Sequence, residues 1–461
     1  MLAAITKTTW TRILRLSTIA FVFALAACQP DPIEVVENRF VKDYDNKVVW
    51  RWNELFLEVE RYAEVYRPCP AARALGYVGL AAYESVVSDM PDYQSIANRY
   101  QGLKIPAKES NAQHDPRVVV NAVYGTMFKK FFPNVRASDL FKIASLESAI
   151  DGELSNQIPA DIFRRSREYG VKVAEAVFAY SATDLEGHDK YLDSRPSNYT
   201  PPTGPGKWQP TPPGNQRAMF PYWGRVRTFA IRETDKLARP PLAFSQDRNS
   251  PFFAQAQEVY ALTSPQTSED RWIAEFWSDD VLGFTFSPPS RWIAIGNQVL
   301  EAEKANLEKA ILMSMKVGLS LNDASVACWN SKFVYNIERP ASYIRRNIDP
   351  NWNVAPLTTN GFLGSTPSFP AYPSGHSVFG AAAAEALSSV FGYSYSFTDR
   401  CHQERTDFNG RPRAFASFYE AANENAYSRL PLGVHFRMDA EEGVRLGYQV
   451  GRRVNELPIK K

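Results

Sequence analysis

The stretch Val48-Val49-Trp50-Arg51-Trp52-Asn53-Glu54-Leu55-Phe56-Leu57-Glu58-Val59-Glu60-Arg61-Tyr62 carries the pattern on which the fold class turns. Val49, Trp52, Leu55, Phe56, Val59, Tyr62 and, just beyond, Tyr66 recur at spacings of three and four, the apolar stripe of an amphipathic helix. Asn46 is the expected N-cap, and Pro68 the expected stop. The same period recurs over 71–87, 118–132, 162–179, 272–282 and 292–320. Alternation of β-branched residues, the mark of strands, is almost absent. The expected class is therefore all-α, a helix-bundle architecture.

Between Tyr191 and Ser250 the pattern breaks, and prolines and glycines crowd together (Pro201, Pro202, Gly204, Pro205, Gly206, Pro210, Pro212, Pro213, Pro240, Pro241). A stretch this long without its own period is usually functional or a connector. Trp208, Tyr222 and Trp223 within it imply packing against the rest of the protein. The expected organisation is an N-terminal bundle over 46–190, a connector over 191–250 and a C-terminal bundle over 251–461.

The first residues read as an address. Lys7, Arg12 and Arg15 precede an apolar run from Leu16 to Ala27, and Leu25-Ala26-Ala27-Cys28 ends it. A basic start, a short apolar run and small residues before a cleavage point describe an export signal over 1–27. A cysteine directly after Leu-Ala-Ala resembles a bacterial lipobox, which makes Cys28 the lipidated residue and 28–45 a tether. Gln29 after Cys28 points to the outer membrane. The expected membrane contact is this lipid alone, because the apolar run falls short of the ~20 residues of a spanning helix. With Cys28 lipidated, Cys69, Cys328 and Cys401 allow at most one disulfide, and their spacing matches no zinc motif. Among 461 residues the formal net charge is +2. Nothing overall argues for nucleic acid, so an anion site must come from local basic residues.

Three segments supply them. In Trp329-Asn330-Ser331-Lys332 continuing to Arg339-Pro340, Lys332 and Arg339 stand seven apart. On one helix that spacing puts both on one face, with Pro340 closing or bending it. Phe369-Pro370-Ala371-Tyr372-Pro373-Ser374-Gly375-His376 runs straight into an alanine-rich stretch. The prolines force an extended approach and a helix starts near Ser374, so backbone N–H groups point at an oxyanion and Gly375 allows close approach. Ser374 adds a hydroxyl donor, and His376 stands where it can exchange a proton. In the third segment Arg429 follows Ser428, then come His435 and Asp439. At helical spacing Asp439 can accept from one ring nitrogen of His435 and leave the other basic.

Each segment alone fits a solvated or capped helix, but together they place three cations and two of the chain's five histidines in one order. Lys-x6-Arg-Pro, Pro-Ser-Gly-His and Ser-Arg-x5-His-x3-Asp together resemble the signature of a superfamily. It contains the vanadium-dependent haloperoxidases, bacterial class A acid phosphatases and phosphatidate phosphatases. Trp329 and Phe369 sit where vanadium chloro- and iodoperoxidases carry aromatic residues beside the cofactor. Glu275-Phe276-Trp277-x-Asp279 is similar to a family segment whose aspartate supports the second arginine. The resemblance extends from about Trp208 to Val450 and implies two helical bundles with the site in the second.

It also implies roles. His435 would bind vanadium axially, and Lys332, Arg339 and Arg429 would neutralise the oxygens of vanadate with help from Ser374 and the Gly375 N–H. Charge-assisted bonds of roughly 1.5–3 kcal/mol each are enough for micromolar oxyanion binding. His376 would handle the proton of incoming hydrogen peroxide, Lys332 would polarise it, and a halide would be oxidised to hypohalous acid. Lipoprotein relatives are similar to iodoperoxidases, so iodide is the expected halide, with bromide possible. The departures are Glu338 and Phe436, where relatives carry an aromatic residue and often a tryptophan, and Ser377, at a position that varies with halide preference. The same residues serve an acid phosphatase, with His435 attacking phosphorus to form a phosphohistidine and His376 protonating the leaving alcohol. Phosphate is near-isosteric with vanadate and can occupy the same site. A surface lipoprotein that merely binds phosphate is the third reading, and the intact catalytic positions argue against it.

Overall fold

A computed structural model of the chain describes residues 40–110, 112–355 and 366–461. The export signal and Cys28 lie outside them. Among the described residues thirteen α-helices and one two-stranded ribbon make an all-α architecture. The helices are α1 Lys47–Glu60, α2 Cys69–Val86, α3 Pro116–Phe131, α4 Ala137–Ser155 and α5 Ala160–Ala182. After the connector come α6 Pro251–Thr263, α7 Ser268–Phe276, α8 Pro288–Ala302, α9 Leu307–Tyr335 and α10 Pro340–Asn347. The last are α11 Gly375–Phe391, α12 Phe418–Tyr427 and α13 Arg437–Asn455. Strands β1 Phe397–Asp399 and β2 Arg413–Phe415 pair antiparallel between α11 and α12.

Several boundaries differ from the periodic reading, each for a local reason. The first helix ends at Glu60, not Pro68, because Tyr62 and Ala63 donate to Val59 and Glu60 and tighten the chain into a turn. Asn46 does stand at the N-cap, but its amide donates to Leu300 O and Ala305 O and so ties α1 to the end of α8. The period over 272–282 stops at Phe276, where the chain turns and Asp280 takes a positive φ of 87°. The period over 292–320 belongs to two helices. Lys304 sits at φ 47° between them and Asn306 caps α9 through Lys309 N–H.

Helix α9 is the axis of the molecule, buried over almost all of its 29 residues. It packs on α2 on one side and on α11 and α13 on the other. The contact with α2 is backbone on backbone: a Cβ added at Gly318 would fall 2.4 Å from Leu75 O, and one at Gly79 would fall 2.7 Å from Ser314 O. Through this seam the cores of the early and late helices merge into one continuous apolar cluster. Helices α11 and α13 meet as closely. Gly443, Gly447 and Gly451 line the α13 face, and a Cβ at Gly447 would fall 2.4 Å from Val378 O.

The connector is a strap bound to α9. The buried Asp323 carboxylate accepts from the N–H groups of Phe229 (2.8 Å), Ala230 (2.7 Å) and Ile231 (3.1 Å). Further along, Trp223 Nε1 donates to Ser325 Oγ, Ala238 N to Ser331 Oγ and Trp208 N to Asn336 O. Trp208 and Trp223 are buried, as the aromatics implied. All three described cysteines are free thiols. Among the described residues no helix is long and apolar enough to cross a membrane.

The glycine seam can be tested directly. Gly318→Ala forces the α2 and α9 backbones apart and is expected to cost about 1–3 kcal/mol, read as a lower denaturant midpoint with an unchanged slope.

Candidate active site

The site forms where the N-termini of α10, α11 and α13 meet at the C-terminal end of α9. Their N-cap residues are Arg339, Ser374 and Phe436. Lys332 and Arg339 are not on one helix. Asn336 takes the left-handed conformation (φ 55°) and ends α9, and Pro340 begins α10 instead of closing the helix before it. The turn swings Arg339 back toward the lysine. His435 and Asp439 likewise share no helical face, because His435 precedes the start of α13. Asp439 reaches back as a capping residue: its Oδ2 accepts from Phe436 N–H (3.0 Å) and lies 3.0 Å from His435 Nδ1. The expected His–Asp bond thus exists through a cap.

Ser374 N–H donates to Asp439 O (2.9 Å), which locks the starts of α11 and α13 together. Arg429 is brought beside His435 by a tight turn in which the N–H groups of Val434 and His435 both donate to Arg429 O. Gly433 makes that turn at φ 83°. Three cations therefore meet with two histidines, and Lys332, Arg339, Arg429, His435 and Asp439 are all buried. His376 is half-buried as a residue, although its Nε2 is buried.

The partners of each cation differ. Lys332 Nζ donates to three carbonyls, those of Pro370 (2.9 Å), Ala371 (2.9 Å) and Pro373 (2.5 Å). Burial draws Lys332 down to about 7, and the three carbonyls, which only accept, favour its charged form. In this arrangement Lys332 shapes the Phe369–Ser374 approach and faces an anion as a charge, not as a free donor. Arg339 Nε donates to Phe369 O (3.1 Å) and Nη1 to Val434 O (2.9 Å), while Nη2 is buried without a partner among the described residues. Arg429 Nη1 donates to Trp277 O (2.6 Å), and its buried Nε has none. His376 Nε2 is a third such atom. Trp329 and Phe369 form the apolar wall, with ring centroids 5.0 Å apart and Lys332 Nζ 5.1 Å from the Phe369 ring.

Burial dominates the electrostatics. It pulls His376 and His435 well below the usual histidine range, and the nearby cations pull the same way, so both rings are neutral at pH 7. It draws Arg339 down to about 9 and Arg429 to about 10, which leaves both charged. Arg339 Nη1–H points to His435 Nε2 at 3.2 Å, so Nε2 accepts and Nδ1–H faces Asp439. His435 thus keeps its lone pair on Nε2, where Arg339 Nη1–H occupies it and a ligand would take its place.

Glu338, the departure beside Arg339, turns its carboxylate to Arg346 at 2.6 Å. Asp279 makes its bond to Arg291 (3.1 Å) and acts on Arg429 through charge. Arg291 escaped the sequence reading because one arginine in an apolar helix carries no motif.

The donors without partners suit an oxyanion. Arg339 Nη2 and Arg429 Nε are buried, α11 supplies the first-turn N–H groups of Gly375 and His376, and the positive ends of three helices add to the field. The comparisons with known proteins agree. The family model of the VCPO second helical-bundle domain matches residues 312–458, which contain every one of these groups except the Trp277–Asp279 turn. The vanadium chloroperoxidase of Curvularia inaequalis is 23% identical, over 90% of this chain and 82% of that one. A solved bacterial vanadium-dependent iodoperoxidase superposes with a TM-score of 0.77 at 27% identity, covering 89% of this chain and 95% of that one. A holo-type bacterial vanadium-dependent chloroperoxidase shares the fold at TM-score 0.66 and 15% identity, covering 90% and 97%. The relatives that match along most of the chain are thus vanadium haloperoxidases, peroxide-dependent oxidoreductases, and the family model covers the segment that carries the site.

An oxyanion in the site offsets the cations that depress His376, so its proton affinity rises on binding. Orthovanadate binding is therefore expected to take up protons and to weaken as pH rises through the bound-state value of the histidine. Calorimetry at pH 7 in two buffers of different ionisation enthalpy reads the uptake, which His376→Gln should lower by up to about one proton.

Proposed function

We propose that this chain uses vanadate to oxidise iodide with hydrogen peroxide and a proton from solvent, giving hypoiodous acid and water. Vanadate-dependent oxidation of halide by peroxide is the activity of the family. Iodide is the finer step, supported by the likeness to the bacterial iodoperoxidase, higher in both TM-score and identity than that to the chloroperoxidase. The observation that carries the proposal is the set of buried donors without partners, arranged around the lone pair of His435 Nε2.

Vanadate, when bound, supplies a Lewis acid that polarises hydrogen peroxide for attack by halide. His435 holds it through Nε2, and Asp439 keeps the proton on Nδ1. Arg339 and Arg429 would neutralise its charge through Nη2 and Nε, and Lys332, charged within its carbonyl cage, would add to the field. Ser374 and the Gly375 N–H complete the cradle. His376 Nε2 takes the proton of incoming peroxide and returns one to the departing oxygen, a task that suits a neutral, half-buried ring. Trp329 and Phe369 keep bulk water from the Lys332 side. Phosphate fits the same donors. The same proposal includes export and lipid attachment at Cys28, which rest on the sequence of residues 1–28.

The test uses protein freed of residues 1–28, dialysed against EDTA and reconstituted with orthovanadate. Iodide turnover by hydrogen peroxide is expected to exceed bromide turnover and to be lost in His435→Ala. His376→Ala should lower kcat by about 10²–10⁴-fold. Hydrolysis of p-nitrophenyl phosphate by the vanadate-free protein, with vanadate acting only as an inhibitor, would make this a phosphatase with His435 as nucleophile.

A further inference from the structure

The turn that backs Arg429 is held by a second buried arginine. Arg291, on α8, is fully buried. Its Nε and Nη2 donate to Asp399 Oδ2 at 3.1 and 2.7 Å, which anchors it to the end of β1. Its Nη1 faces the opposite way and lies 3.2 Å from Phe276 O and 3.1 Å from Asp279 Oδ1. His402 Nε2, 2.6 Å from the same nitrogen, closes the cage, and burial and the guanidinium keep that ring neutral.

Phe276 and Asp279 flank the residue that matters. Trp277 O lies between them and accepts from Arg429 Nη1 at 2.6 Å. The turn is not one that the chain adopts freely, since Asp280 sits at φ 87°, a conformation disfavoured for a residue with a Cβ. Arg67 Nε holds the Asp280 carboxylate from the other side at 3.1 Å, and Asp280 N–H donates to Phe286 O. A strained turn clamped at both ends presents one carbonyl and two acidic groups to Arg429. With Nη1 fixed on that carbonyl, the guanidinium has Nε left for the oxyanion.

We infer that Arg291 is a positioning residue that sets anion affinity by fixing the Trp277–Asp280 turn against Arg429. The inference rests on the proposed anion site and concerns only how Arg429 is aimed. Lysine at position 291 keeps the charge but cannot span Asp399, Phe276 O and Asp279 together, so the turn slackens and the guanidinium loses its register.

Orthovanadate binding, measured by calorimetry on a double-mutant cycle, tests it. Arg291→Lys is expected to weaken binding about tenfold in the otherwise native protein and again about tenfold beside Arg339→Lys. Beside Arg429→Lys the further loss should be less than about twofold, because the group that Arg291 acts through has already been changed. An equal loss in all three backgrounds, or none in the native one, overturns the inference and leaves the anion site standing. A native protein that does not bind orthovanadate overturns the proposed function, and this inference with it. If Arg291→Lys fails to fold, Asp399→Asn, which leaves Arg291 in place with a weaker anchor, should give a smaller loss of about threefold with the same dependence on Arg429. Unchanged affinity in Asp399→Asn would then overturn it.

Discussion

Lys332, Arg339 and Arg429 are buried within one site, and the architecture around them answers the cost of keeping three like charges out of water. Each is desolvated, and none has a carboxylate as its direct hydrogen-bond partner. The molecule meets the cost with backbone dipoles: three carbonyls on Lys332, two on Arg339 and one on Arg429. That cover is incomplete at Arg339 Nη2 and Arg429 Nε, and three helix N-termini raise the potential further. An oxyanion is what such a site lacks. Binding it returns hydrogen bonds to donors that have already lost water, so its affinity draws on energy stored when the chain folds.

Holding the cations together demands stiffness, and the helices provide it by close contact. Glycines at 79 and 318 let α2 and α9 touch through their backbones, and Gly443, Gly447 and Gly451 do the same for α13 on α11. Ser374 N–H on Asp439 O then fixes the ends of α11 and α13 that carry His376 and His435. The connector joins this frame through Asp323, whose buried carboxylate satisfies three consecutive N–H groups of a segment with no ladder of its own. A proline-rich strand would leave those donors orphaned unless α9 offered an acceptor.

Much of the site is legible because local rules and function coincide there. In Pro-Ser-Gly-His the prolines, the capping serine and the glycine each predict the same helix start, and α11 begins at Gly375. The Lys332–Arg339 spacing is informative for a different reason than helical geometry suggests. Asn336 in the left-handed region, not a continuous helix, brings the two together, and nothing in the period announces it. Glu338 shows the converse, a charge beside the site in sequence that Arg346 neutralises in space. Arg291, Asp399 and His402 stayed hidden because their contacts join residues more than one hundred positions apart. Helices over 137–155, 251–263 and 418–427 were missed too, and the first and second of these carry weak apolar stripes.

The two histidines show how one residue type takes two roles in a single field. Both are neutral for the same reason, burial among cations, so charge does not distinguish them. Their partners do. His435 has Nδ1 on Asp439 and Nε2 accepting from Arg339, which fixes the ring and puts its lone pair on Nε2, the tautomer that a ligand or nucleophile requires. Among the described residues His376 has no partner on its buried Nε2, so it can gain a proton there without breaking a bond. A group that must move protons gains from such freedom, and a group that must hold still loses by it. Exchanging the two environments would leave every residue type in place and still remove the chemistry, because the roles reside in Asp439 and in the unpartnered Nε2 of His376.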